Sequence, residues 1–109
     1  MTTLTRRQIR FLRTKAHPLQ PIIHVGHAGP SEALRAEADR ALTDHELIKV
    51  KVHGAQRTQR DLWLDDLARQ TGAAVVQRIG HVATLYRARD TLPRLVLPDS
   101  GPDAAAAQP

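Results

Sequence analysis

At 109 residues and 12.1 kDa the chain is the size of one domain, and its 25 leucine, isoleucine and valine side chains suffice for a hydrophobic core. It has no cysteine, which excludes disulfides and thiolate zinc sites, no apolar run near the ~18 residues of a membrane span, and no secretory signal in MTTLTRRQIR, so a cytoplasmic protein is expected. Sixteen Lys and Arg against eleven Asp and Glu give +5, a sign that attracts polyanions.

Thr5-Arg-Arg-Gln8 has the form of a capping box, and Ile9, Leu12 and Ala16 follow at helical spacing. A first helix is therefore expected over about 5–16, ended by Pro18. Pro21 launches the apolar run Ile22-Ile23-His24-Val25, which reads as a buried strand, and Gly26-His27-Ala28-Gly29 follows as a tight loop. Pro30 and Ser31 open a second helix with Leu34, Ala38, Ala41 and Leu42 along its inner face. In residues 47–52 the alternation places Ile48, Val50 and Val52 inward and Lys49 and Lys51 outward. A third helix spans about 57–71, with Leu64, Leu67, Ala68 and Thr71 toward the core and Gly72 as its left-handed cap. Residues 75–79 and 82–88 make two strands joined at Gly80-His81 as a hairpin. The order α-β-α-β-α-β-β describes a small α/β sandwich with a four-stranded mixed sheet. The alanine- and proline-rich stretch 99–109 has nothing large to bury and is expected to be a disordered tail behind a domain of residues 1–98.

Charge is unevenly spread. Residues 1–26 carry Arg6, Arg7, Arg10, Arg13 and Lys15 and no acid; residues 47–60 carry Lys49, Lys51, Arg57 and Arg60 and again none. A fold that gathers these blocks on one side would offer a footprint for phosphates; ordinary solvated faces are the alternative. Between them lies Gly26-x-x-Gly29, set between a strand and a helix as in the loops with which KH modules clamp a nucleic-acid backbone. A tight strand-to-helix turn would use the same glycines, and Pro30 removes one backbone donor. Gly29→Asp is expected to repel a bound backbone while leaving the fold intact.

Other chemistries find less support. Phe11, Trp63 and Tyr86 are the aromatic residues, so no strand carries the paired rings of a base-stacking platform. His24 and His27 are spaced like a short metal pair, with Asp44-His45 as further ligands, yet positions i and i+3 of a strand face opposite sides. Asp65 and Asp66 diverge by ~100° on a helix, which suits a solvated face better than a magnesium site. No G-x-x-x-x-G-K-S/T loop or nucleophile elbow is present. No catalytic residue, metal or cofactor is expected.

Leu4-Thr-x-x-Gln8, Leu12, Ala16-His17-Pro18-Leu19-x-Pro21 and Gly26-x-x-Gly29 recur in order with His45-Glu-Leu-Ile-Lys-Val-Lys51, Thr71-Gly72-Ala73, Leu85-Tyr-Arg87 and Leu97-Pro98. Over about residues 4–98 this pattern resembles the CRM domain (chloroplast RNA splicing and ribosome maturation), and most of all its stand-alone bacterial form, the YhbY-like RNA-binding proteins. The resemblance implies an α/β sandwich similar to the C-terminal domain of translation initiation factor 3. It also implies a non-enzymatic RNA-binding protein that associates with the rRNA of precursor large ribosomal subunits and assists ribosome assembly; nothing in the sequence demands more than a monomer. The family's G-x-x-G loop falls on Gly26, His27, Ala28 and Gly29, and its basic positions on Arg6, Arg7, Arg10, Arg13, Lys49 and Lys51. Relatives commonly continue the loop with Leu-Thr, where this chain has Pro30-Ser31. A protein-interaction module, or a binder of another structured RNA of intron or small-RNA type, is the alternative.

Overall fold

In the computed structural model, which describes residues 4–89 and 95–98, the chain order is α1 (Arg6–Ala16), β1 (Pro21–Val25), α2 (Glu32–His45), β2 (Leu47–Val52), α3 (Arg57–Thr71), β3 (Ala74–Ile79) and β4 (Val82–Tyr86). This is the expected α/β sandwich. The four strands form one mixed sheet in the order β1-β2-β4-β3, with β1 parallel to β2 and the other pairs antiparallel.

Local chemistry accounts for the boundaries. The Thr5 hydroxyl accepts the Gln8 N–H at 3.1 Å while the Gln8 amide oxygen accepts the Thr5 N–H at 2.9 Å, so the capping box closes α1 as its sequence dictates. The Ser31 hydroxyl caps α2 by accepting the Leu34 N–H at 3.1 Å. Gly72 ends α3 at φ 71°, and the Ala73 N–H closes back on the Ala68 carbonyl at 2.8 Å. The strand expected over 82–88 stops at Tyr86, because β2 begins at Leu47, the cross-strand partner of Tyr86, and offers no ladder beyond it. The expected tail, 99–109, lies outside the described residues.

The sheet is covered unequally on its two faces. On one side α2 and α3 lie over Ile23, Val25, Ile48, Val50, Val52, Ala83 and Leu85, burying Ala38, Leu42, Leu64 and Leu67 between the layers. On the other, α1 places Leu12 and Ala16 against Leu47, Val76, Tyr86 and Leu97, which covers part of the sheet. Among the described residues no buried side-chain nitrogen or oxygen lacks a hydrogen-bond partner.

One of those groups organises the junction between α2 and β2. Glu46 is fully buried and adopts φ 64°, a left-handed conformation rare for a residue with a Cβ. Its N–H donates to the Leu42 carbonyl at 2.8 Å, which caps α2, and its own carbonyl accepts the Arg87 N–H at 2.9 Å. Its carboxylate accepts the backbone N–H groups of Leu95 at 3.0 Å and Arg89 at 3.3 Å. The chain that follows β4 is thereby tied to the start of β2. Burial, and then the Glu46 charge, push the Tyr86 hydroxyl above its ordinary pKa. Around the same junction the Arg87 guanidinium bonds Asp39 at 2.5 Å, Thr43 at 2.8 Å and the Thr71 carbonyl at 2.8 Å, joining α2 to the end of α3. Glu46→Ala leaves the part-buried N–H groups of Arg89 and Leu95 without their carboxylate acceptor. It is expected to cost about 2–4 kcal/mol in urea unfolding with the denaturant slope unchanged, and an unshifted midpoint would remove Glu46 from this role.

Candidate nucleic-acid interface

The alternation along β2 separates two environments. Ile48, Val50 and Val52 lie beneath α2 and α3, whereas Leu47, Lys49 and Lys51 face the α1 side. Leu47 is covered by α1; Lys49 and Lys51 lie beyond it, on the open part of the sheet. Rising about 3.4 Å per residue, the strand sets their Cα atoms about 7 Å apart on one face. In register beside them stand Thr84 and Val82 of β4 on one side and Pro21 and the exposed His24 of β1 on the other.

The C-terminal end of α1 and the segment after it overhang this face and shape two recesses. One, of about 480 Å³, is lined by Lys15, Leu19, Gln20, Ile22, Leu47 and Lys49. The other, of about 340 Å³, lies toward β3 and is lined by His17, Lys49, Gln77, Ile79 and Thr84. Lys49 stands between them. With the Gln77 amide turned so that its oxygen faces α1, Arg13 Nε donates to it at 3.1 Å, which places Arg13 on the α1 flank facing β3. Lys15, on the other flank, holds its ammonium 5.5 Å from the centre of the Phe11 ring.

The basic positions expected from the sequence thus divide. Arg13, Lys49 and Lys51 share one face of the sheet. Arg7 and Arg10 are exposed on the side of α1 opposite its buried Gln8, Leu12 and Ala16, and Arg6 is exposed at the helix's first turn. The acids of α3 are drawn elsewhere: Asp61 and Asp65 bind Arg78 of β3, and Asp66 binds Arg69 at 2.6 Å. Burial works against the Arg78 charge, but the hydrogen bonds its guanidinium donates to Asp65 and Asp61 outweigh it and raise its pKa. Asp65 and Asp66 are therefore ion-pair partners.

Gly26–Gly29 leaves the C-terminal end of β1 at the edge of the lysine face. It is a closed turn: the Gly29 N–H donates to the Gly26 carbonyl at 3.0 Å, at φ 83°. That bond, the missing N–H of Pro30 and the Ser31 cap on Leu34 leave fewer backbone donors for a phosphate than a bare helix start would offer. Glu32 also puts a carboxylate in the first turn of α2. The two glycines differ. A Cβ on Gly29 would lie 2.8 Å from Cε2 of Trp63 on α3, whereas nothing stands within 4 Å of one on Gly26. Gly29 is thus the point where the loop packs on the helix layer, so Gly29→Asp would disturb the fold as well as the surface, contrary to the expectation from sequence. Gly26 and Ala28 are exposed positions of the turn.

His27 turns back from the loop, its ring lying directly over Gly54, where an added Cβ would collide with it. Its neighbours were not legible as a group. His24 Nδ1 and His53 Nε2 are 2.9 Å apart, their rings stacked with centroids at 5.2 Å. The His81 ring nitrogen lies 3.2 Å from the Val52 carbonyl. The pKa of His53 is lowered from 6.5, first by loss of hydration and then by the charges of His24, Lys51, His27 and His81. Among the described residues no three His, Asp or Glu side chains gather in a way that could hold a metal ion. One signal for His53 does exist in the sequence: it continues the outward alternation of Lys49 and Lys51.

The fold is thus an α/β sandwich with one cationic, partly open sheet face beside a G-x-x-G turn. The chain belongs to the CRS1 / YhbY (CRM) domain family, whose pattern matches residues 4–87. A Haemophilus influenzae protein named as an RNA-binding protein is 47% identical over 98 residues, which is 86% of this chain and 99% of that one. The Bacillus subtilis "Probable RNA-binding protein YqeI" is 35% identical over 96 residues, covering 87% of this chain and 99% of its own. The solution structure of a Staphylococcus aureus protein superposes with a TM-score of 0.73 at 30% identity, covering 88% of this chain and 98% of that one.

Gly29→Ala is expected to cost about 1–3 kcal/mol in urea unfolding, through its left-handed backbone and its contact with Trp63. Gly26→Ala should stay within about 0.5 kcal/mol of the parent. Equal midpoints for the two variants would refute the distinction drawn between them.

Proposed function

We propose that this chain is a non-enzymatic RNA-binding protein that associates with the rRNA of precursor large ribosomal subunits and assists their assembly. The observation that carries the reading is the placement of Lys49 and Lys51 on the open face of the sheet, continuous with the Gly26–Gly29 turn at one end and with Arg13, Lys15 and His17 at the other. A backbone laid along this face would meet ammonium groups in succession and the glycine turn where the strand ends. The scarcity of exposed aromatic rings favours phosphate and shape over base stacking. The relatives named for RNA binding support the same class of ligand. Among the described residues no helix is long and apolar enough to cross a membrane.

Gentle-lysate sucrose gradients test the ribosomal role. The native protein is expected in the fractions of precursor large subunits, with Lys49→Glu/Lys51→Glu and Ala28→Asp variants shifted to the top. Sedimentation that survives RNase would point to a protein partner instead, and wild-type protein at the top would remove the ribosomal assignment. In direct binding, log K should fall linearly with log salt. The double lysine variant should flatten that slope by about 0.7–0.9 for each phosphate it no longer neutralises, and an unchanged slope would take these lysines out of the interface.

A further inference from the structure

The ends of three elements bring four histidines and a lysine together beside the glycine turn. His24 lies at the end of β1, His53 just past β2 and His81 in the β3–β4 turn; His27 bends back over Gly54, and Lys51 stands in register with His24. Backbone bonds fix the frame: the His53 N–H donates to the Val25 carbonyl and the Val52 N–H to the His81 carbonyl, both at 2.8 Å. Resting on the RNA-binding reading above, we propose that His24, His27, His53 and His81 with Lys51 form a proton-dependent phosphodiester site, which grips the RNA backbone where it passes from the lysine face to the Gly26–Gly29 turn.

The chemistry of the pair at its centre leads to this. At 2.9 Å, one of the His24 and His53 nitrogens must donate and the other accept, an arrangement that holds while at least one of the facing nitrogens is unprotonated. When both rings are protonated their N–H groups oppose each other, unless an acceptor comes between or above them. The groups whose charge bears on His53 are His24, Lys51, His27 and His81, every one basic, so no carboxylate from these elements supplies that acceptor. A phosphodiester oxygen can accept from two such donors at once, and its charge offsets the repulsion among the basic groups around His53. A divalent cation fits poorly, because Lys51 and the neighbouring rings repel it and no three-ligand set is assembled.

The sign of the linkage follows. In the free protein His53 binds its proton less readily than an unfolded chain does. Stability from this site is therefore present above about pH 6.5 and is lost as pH falls toward the lowered value. Bound phosphate reverses the preference, so complex formation takes up protons and tightens as pH falls.

Filter binding of radiolabelled ribosomal RNA fragments at pH 6 and pH 8, at constant ionic strength, is the direct test. Wild-type affinity is expected to rise by about three- to tenfold at the lower pH, within the limit of about tenfold per pH unit for each proton taken up. His24→Gln/His53→Gln, which removes the pair at the centre of the site, should lose most of that rise. A double variant that keeps the wild-type pH dependence, or a wild type that binds equally at both, overturns the site while leaving RNA binding in place. A wild type that binds no RNA at either pH overturns the underlying reading as well. Should the double variant melt below the assay temperature, NMR titration of the wild-type histidines decides. The His53 ring should titrate below 6.5 in the free protein and move upward when RNA is added; an unmoved titration refutes the proposal.

Discussion

The strand β2 imposes the constraint on which the other elements depend. It lies between β1 and β4 and, from Ile48 onward, carries apolar side chains toward one layer and lysines toward the other. Because the side-chain period is two, a slip of one residue would drive Lys49 and Lys51 beneath α2 and α3 and expose Ile48, Val50 and Val52. Burying an unpaired ammonium is so unfavourable that this register is held firmly. The same alternation that builds the core therefore builds the cationic face, and neither can be shifted without losing the other.

What sets that register is the residue just before the strand. Glu46 takes a left-handed conformation at a strain of order 1 kcal/mol, and in doing so turns the chain from α2 into β2 within one residue. The bonds from its carboxylate to the backbone of Arg89 and Leu95 offset that strain and anchor the segment carrying Leu95 and Leu97 beside α1. A glycine would meet the backbone requirement alone. The carboxylate is what lets the same position hold a helix end, a strand start and the chain after β4.

Much of this was legible because it is local. The capping box at Thr5 and Gln8, the Ser31 cap, the left-handed Gly72 and the alternation of residues 47–52 each depend on neighbours within a few positions, and the structure shows each as the sequence dictates. The features that were missed join distant residues. Nothing around Glu46 marks it as buried, since its partners lie more than 40 positions away. Trp63 sits on α3 without any sequence sign that Gly29 packs against its ring, and so the two glycines of the loop looked equivalent. His24 and His53 are 29 residues apart, and only the pairing of β1 with β2 brings their rings into contact.

The arrangement of charge bears on how such a surface could discriminate. The acids of α3 are engaged by Arg78 and Arg69, while the lysines of β2 rise from the opposite face of the sheet. Lysines and arginines give attraction that is constant across the physiological pH range, so by themselves they hold any polyanion in proportion to its charge density. Histidines placed among them behave differently. His53, which holds its proton less readily than an ordinary histidine, adds less to indiscriminate attraction, and a phosphate close enough to stabilise that proton would raise its charge. Since the rings are fixed at the ends of β1 and β2, that extra attraction is confined to a backbone lying along the strands and turning at Gly26–Gly29. A basic face of this kind would distinguish a correctly seated backbone from a merely nearby one, using protons rather than base contacts to do so.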